Sequence, residues 1–181
     1  MSCTALLTQP VTRTLYAKSS PKHVYLLIGH HMRLEKVEQF AVHGLTVRTN
    51  NHDEMKTSAM KISTLWQEFS VHVAPHLQAE SEVFGIYHQY ESDHLGEFDV
   101  TAGATQLSEQ GTLEVSLVES GEYLVFCNKG TMPSMVVELW QQIWAYFSNE
   151  HCEYKRAYRT DFEKYKSEED VEIYIGVIPI T

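Results

Sequence analysis

With 181 residues, 43% of them hydrophobic and 21% charged, the chain is long enough for one domain and an appendage, and its composition excludes disorder over most of its length. Its net charge of −10, from 14 Lys and Arg against 24 Asp and Glu, disfavours nonspecific nucleic-acid binding, which relies on neutralising phosphates. No apolar run approaches the roughly 20 residues of a membrane-spanning helix, and Val24–Gly29 is too short for a secretory segment.

Residues 1–31 contain Arg13, Lys18 and Lys22 and no acid, so all 24 acids lie beyond them. This stretch shows no periodicity and is read as an arm, disordered or non-native, ahead of a single domain at residues 32–181. Cys3, Cys127 and Cys152 are far apart and form no CxxC, which argues against a disulfide framework or zinc ribbon and for a reducing cytosol. An acidic body favours a cationic ligand and is equally a route to solubility.

Val37–Arg48 is rich in β-branched and aromatic residues and reads as a strand. Asn50, Asn51 and Asp53 supply turn and cap chemistry ahead of a helix over about 54–73. Its apolar face runs through Met55, Ala59, Ile62, Trp66, Phe69 and Val73, and Pro75 ends it. Glu82–Glu91 and Glu97–Ala102 form a hairpin. A looser connection, 103–120, leads to a strand at Glu122–Asn128. A helix follows at Pro133–Asn149, with Val136, Leu139, Trp140, Ile143, Trp144 and Phe147 on one stripe. Strands at 157–166 and 171–178 complete the chain.

The order is therefore βαββ twice, repeat one at about 37–103 and repeat two at about 119–180. Leu65-Trp66-Gln67-Glu68 echoes Leu139-Trp140-Gln141-Gln142 at an offset of 74. Two such units bury the sheet faces that neither covers alone, which predicts an α+β fold with an antiparallel sheet.

Several residues carry candidate chemistry. In Asp161-Phe162-Glu163-Lys164-Tyr165, strand alternation puts Phe162 opposite Asp161, Glu163 and Tyr165. With Phe162 in the helix-covered core, Glu163 and Tyr165 point to the other face. Glu163 is then either a solvated glutamate beside Lys164 or a desolvated carboxylate that calls for a cation. Glu91 is either a second acid, at the pseudo-symmetric position of Glu163, or a turn residue. Trp66, Trp140 and Trp144 serve equally as core or as pocket wall, since indoles suit both. His72 and His76 have HxxxH spacing, but Pro75 between them undermines a metal pair, and no metal or cofactor is expected. Cys152 beside His151 is a poor nucleophile pair, because adjacent residues seldom converge. No GxSxG, P-loop or GxGxxG occurs.

The stretches Arg48-Thr-Asn50 with Glu54, Ile62-x-x-Leu-Trp66-x-x-Phe69, Val83-Phe-Gly-Ile-Tyr87-x-x-Tyr-Glu-Ser-Asp93-x-x-Gly96, Gly121-Glu-Tyr123-x-x-Phe126 and Asp161-Phe-Glu163-x-Tyr165 run in order through the domain. In these, residues 37–181 resemble the GyrI-like, AraC-type effector-binding domains, and within them the stand-alone subgroup carried on integron gene cassettes. The resemblance implies a duplicated βαββ fold. It also implies recognition of amphipathic or cationic lipophilic compounds by a central glutamate ringed with aromatics. Glu163 matches that glutamate, and Tyr87, Tyr123, Tyr165, Trp66, Trp140 and Trp144, with Glu91, are the expected surroundings. The larger regulators join this module to a helix-turn-helix region, for which residues 1–31 are too short and patternless. The expectation is a cytoplasmic, non-catalytic binding module that does not touch DNA directly and acts alone or with a separate regulator. The alternatives are a hydrolase of electrophilic compounds and a modulator of a regulator or gyrase through protein contact.

Overall fold

The computed structural model describes residues 32–180, so the reading of residues 1–31 as an arm lies outside the described residues. Eight strands occur: β1 Arg33–Val37, β2 Phe40–Thr49, β3 Val83–His88, β4 Phe98–Ala104, β5 Glu114–Val118, β6 Gly121–Lys129, β7 Tyr154–Ser167 and β8 Asp170–Pro179. The helices are α1 Asn51–Glu54, α2 Ile62–His72 and α3 Ser134–Phe147. The fold is α+β, as the element order predicted. No described helix is long and apolar enough to cross a membrane.

All strands join one antiparallel sheet in the order β1-β6-β8-β7-β3-β4-β2-β5. The two halves, β6-β8-β7 and β3-β4-β2, meet along the β7–β3 seam. The edge strands are exchanged: β1 precedes β2 in the chain but pairs with β6, while β5 precedes β6 but pairs with β2. Composition hid both. β5 falls in the segment read as a loose connection, and alternation along it puts only Ser116 and Val118 inside.

The first helix is shorter than its periodicity predicted. Asn50 caps a single turn, its side chain accepting the Asp53 N–H, and the chain leaves helical geometry before α2 begins at Ile62. Met55, placed on the apolar face by spacing, is 74% exposed. Glu54 explains the restart: its carboxylate accepts the N–H groups of Lys61 (2.9 Å) and Ile62 (3.3 Å) and the Thr49 hydroxyl (2.6 Å). It caps α2 from outside, because Lys61 makes no side-chain cap of its own. Glu54→Ala is expected to cost about 1 kcal/mol, the usual worth of a cap, read as a lower urea midpoint with an unchanged slope.

Both long helices cover one face of the sheet. Leu65 and Phe69 of α2 pack over Tyr87, Val100 and Ala102, and Leu139 and Ile143 of α3 pack over Phe126, Ile173 and Ile175. Each fully buried aliphatic side chain there stabilises by roughly 1.5–3 kcal/mol. Trp140 packs against both clusters and so bridges the seam. The opposite face curls on itself: Glu119, following β5, donates its N–H to Thr160 of β7 at 3.2 Å. Inside that curl lie Val42, Phe84, Ile86, Tyr123, Phe162 and Tyr174.

Candidate functional site

The faces are the reverse of the sequence expectation. Phe162 belongs to the curled face, and Glu163 lies beneath the helices. Alternation correctly separated the two side chains; which face the helices cover is a tertiary fact that spacing does not contain.

Glu163 is 2% exposed. One carboxylate oxygen accepts the Tyr87 hydroxyl at 2.8 Å and the Trp140 indole N–H at 2.7 Å; the other accepts the Tyr165 hydroxyl at 2.5 Å. Three elements supply these donors: β3, α3 and β7 itself. Trp66 of α2 closes the ring, its indole set edge-on to Tyr165 at 5.0 Å. Glu163 is thus neither solvated nor paired with its neighbour: Lys164 points away, to Glu82 at 2.6 Å. Among the described residues no cation forms an ion pair with Glu163.

Burial pushes the Glu163 carboxyl above its ordinary 4.5, and the three hydrogen bonds only partly oppose this. Burial, reinforced by the neighbouring carboxylate, holds the Tyr87 and Tyr165 phenols well above 10.0, so both remain donors.

Space for the carboxylate comes from Gly85, which faces Glu163 across the β3–β7 ladder. A Cβ there would lie 2.8 Å from Glu163 Oε2 and 3.1 Å from Trp66 Cζ2. Sequence reasoning passed over this residue, although a glycine inside a strand pattern is a signal of close approach. Gly85→Ala is expected to displace the carboxylate or Trp66, costing about 1–3 kcal/mol of stability as an overpacked site does. Thermal melts together with Trp fluorescence check this.

Asp161, two residues before Glu163 on the same face, is fully buried as well. It holds the Arg156 guanidinium at 2.5 Å, the Tyr90 hydroxyl at 2.7 Å and the Gly176 N–H at 2.8 Å. Arg156, its side chain 7% exposed, lies over the rings of Tyr158 (4.7 Å) and Trp140 (5.9 Å). A break in the β7–β8 register between Arg156 and Asp161 brings these two together, with Tyr158 at φ +50° inside it. A bulge is invisible to period-two alternation, which is why this pair escaped sequence reading.

Beside the ring opens a cleft of about 590 Å³ lined by Trp66, Val83, Met132 and Tyr165, with Glu168 and Glu169 also on its wall. Trp66 and Tyr165 therefore belong to both the cleft and the surroundings of Glu163.

Of the residues singled out in sequence, Tyr87, Trp66, Trp140 and Tyr165 converge on Glu163. Trp144 touches Trp140 (centroids 6.4 Å apart) but is 41% exposed and makes no contact with the carboxylate. Tyr123 is on the curled face, its hydroxyl donating to the Glu119 carbonyl at 2.7 Å. Glu91 is a turn residue whose carboxylate accepts the Glu97 N–H at 3.2 Å. Nor is it the pseudo-symmetric partner of Glu163. Tyr87 pairs with Asp161 at the same separation of 74 that relates the helices, and that offset points from Glu163 to Gln89. His72 and His76 diverge, to Glu68 at 3.1 Å and Glu109 at 3.7 Å. Cys152 lies near the Tyr154 carbonyl at 3.0 Å.

Comparison with known proteins gives this geometry a family. The model of the integron-associated effector binding proteins matches residues 33–177. An integron cassette protein from the mobile metagenome of Vibrio cholerae is 44% identical, with a TM-score of 0.76, covering 81% of this chain and 95% of that one. SAV2435, solved bound to tetraphenylphosphonium, shares the fold at 18% identity and TM-score 0.63, covering 82% of this chain and 94% of that one. EcmrR, solved in a complex with DNA, is 14% identical with a TM-score of 0.50, covering 86% of this chain and 60% of that one. No curated protein matches the sequence. The match along nearly the whole described domain places the chain in the family of integron-associated effector-binding proteins.

Proposed function

We propose that the protein binds lipophilic monocations, with Glu163 as the charge and Tyr87, Trp140, Tyr165 and Trp66 as the aromatic surround. The observation that carries this reading is a buried carboxylate held by three neutral donors and, among the described residues, by no cation. Such a group is costly to ionise alone, and a cation entering beside it removes that cost. The neighbouring rings add cation–π attraction of about 0.5–2 kcal/mol each. A ligand reaches Glu163 from the cleft by moving Trp66 or Tyr165, which stand between the two. The relative solved with tetraphenylphosphonium, a lipophilic cation, supports the same reading. Binding is the whole activity in this proposal.

The test is a thermal-shift titration with tetraphenylphosphonium and its isosteric anion, tetraphenylborate. The cation at about 100 times its dissociation constant adds roughly 2.7 kcal/mol, and the anion adds nothing. Equal shifts from both ions would overturn the reading. Affinity for the cation is expected to rise with pH up to the raised titration point of Glu163 and then level off, because only the ionised carboxylate attracts it. Calorimetric titrations across this range should also show proton release on binding.

A further inference from the structure

Two buried carboxylates stand on the same face of β7, and the protein treats them differently. Asp161 has a resident cation, Arg156, at 2.5 Å, whereas Glu163 has only neutral donors among the described residues. The two sites share one wall. Trp140 donates its indole N–H to Glu163 and offers its ring to Arg156. Tyr87 and Tyr90, one bonded to each carboxylate, both pack on Phe98. The backbone is committed to this arrangement: the register break between Arg156 and Asp161 brings the pair together, and a tyrosine adopts positive φ within it.

We infer that Arg156 sets the charge capacity of the buried site: by neutralising Asp161 it leaves Glu163 as the one unmatched buried carboxylate there, so the buried site accepts monocations and rejects dications. The inference rests on the proposed cation site and adds its selectivity. Side chains two positions apart on a strand are separated by about 7 Å. At the effective dielectric of a protein interior, a unit charge at that distance changes cation affinity by about tenfold or more. A second positive charge on the ligand therefore meets no second unmatched buried acid and is held close to Arg156; Glu168 and Glu169 on the cleft wall are exposed to solvent, where their attraction is screened.

The experiment uses the full chain and an isosteric pair, N-methyl-tolylpyridinium (monocation) and N,N′-dimethyl-bipyridinium (dication), with tetraphenylphosphonium as reference. Wild type is expected to bind the monocation about tenfold or more tighter than the dication. In Arg156→Met, Asp161 is freed, and this ratio falls about tenfold or reverses. In Asp161→Asn, Arg156 is left unmatched, and tetraphenylphosphonium binds about tenfold more weakly. The double variant, Arg156→Met with Asp161→Asn, removes both charges and restores the wild-type preference, which gives a second route to the answer if a single variant does not fold. A wild type that binds the dication as tightly as the monocation overturns the inference, as does Asp161→Asn with undiminished tetraphenylphosphonium affinity. Either result leaves the cation site standing. Failure of wild type to bind any of the three cations removes the cation site itself.

Discussion

Replacing Glu163 by glutamine is expected to abolish the response to lipophilic cations and, at neutral pH, to make the protein more stable. Glutamine fits the same ring of groups. Its carbonyl oxygen accepts from Tyr87 and Trp140 as the carboxylate does, and its amide N–H donates to the Tyr165 hydroxyl, which rotates to accept. What disappears is the charge. Removing one member of a buried charge pair weakens binding by about 2–5 kcal/mol. For stability the sign follows from the raised titration of Glu163 in the folded state. Between the ordinary 4.5 and that raised value, the folded protein holds a proton that the unfolded chain has lost. Wild-type stability therefore falls as pH rises through this interval, by about 1.4 kcal/mol for each pH unit it spans. Glu163→Gln does not titrate there, so its advantage over wild type grows as pH rises through this interval and vanishes as pH falls towards 4.5. Urea denaturation of both proteins at several pH values measures this. A variant less stable than wild type at neutral pH would mean that the three donors favour the buried charge more than burial opposes it.

One residue earlier, Phe162→Ala is expected to do the opposite, costing about 3–5 kcal/mol of stability while leaving cation affinity per folded molecule intact. Phe162 is 1% exposed and stacks on Tyr174 with centroids 4.3 Å apart and planes 11° apart. Phe40, Phe84 and Tyr123 meet it edge-on or tilted at 5.6, 6.0 and 5.4 Å. Truncation leaves a void between rings that backbone pairing holds in place, so little of the loss is recovered by collapse. For a domain of this size the melting temperature drops by about 10 °C. Thermal melts combined with tetraphenylphosphonium titration separate the two effects. Lost binding in folded Phe162→Ala would show that the curled face holds β7 in the geometry the site needs.

These neighbours illustrate how β7 divides its work. The curled face packs rings and stabilises the fold. The helix face carries Asp161, Glu163 and Tyr165, polar groups placed where apolar ones would cost less. The site also lies on the seam between the two halves of the sheet, where Trp140 packs against both helix-side clusters. Groups from β3, α3 and β7 therefore reach one carboxylate, and Trp66 of α2 packs against one of them, Tyr165.

The element order, the α+β class and the stripes of α2 and α3 were legible in the chain because hydrophobic periodicity is local. The resemblance carried by motifs such as Asp161-Phe-Glu163-x-Tyr165 pointed to the family and to Glu163. Tyr87, Trp66, Trp140 and Tyr165, singled out by residue type because phenols and indoles suit both cations and carboxylates, are gathered around Glu163 by the fold. The tertiary structure decided which face of β7 the helices cover, and so whether Glu163 or Phe162 lies beneath them. It also decided that β1 and β5 exchange partners, that Glu54 starts α2 across a break, and that Gly85 makes room for a carboxylate across the ladder. Arg156 meets Asp161 only through a bulge, and Tyr123 and Glu91 are carried away from Glu163 by strand register and by a turn. Composition, periodicity and motif belong to the chain taken a few residues at a time. Face, register and charge pairing arise between segments distant in sequence, where only packing brings them together.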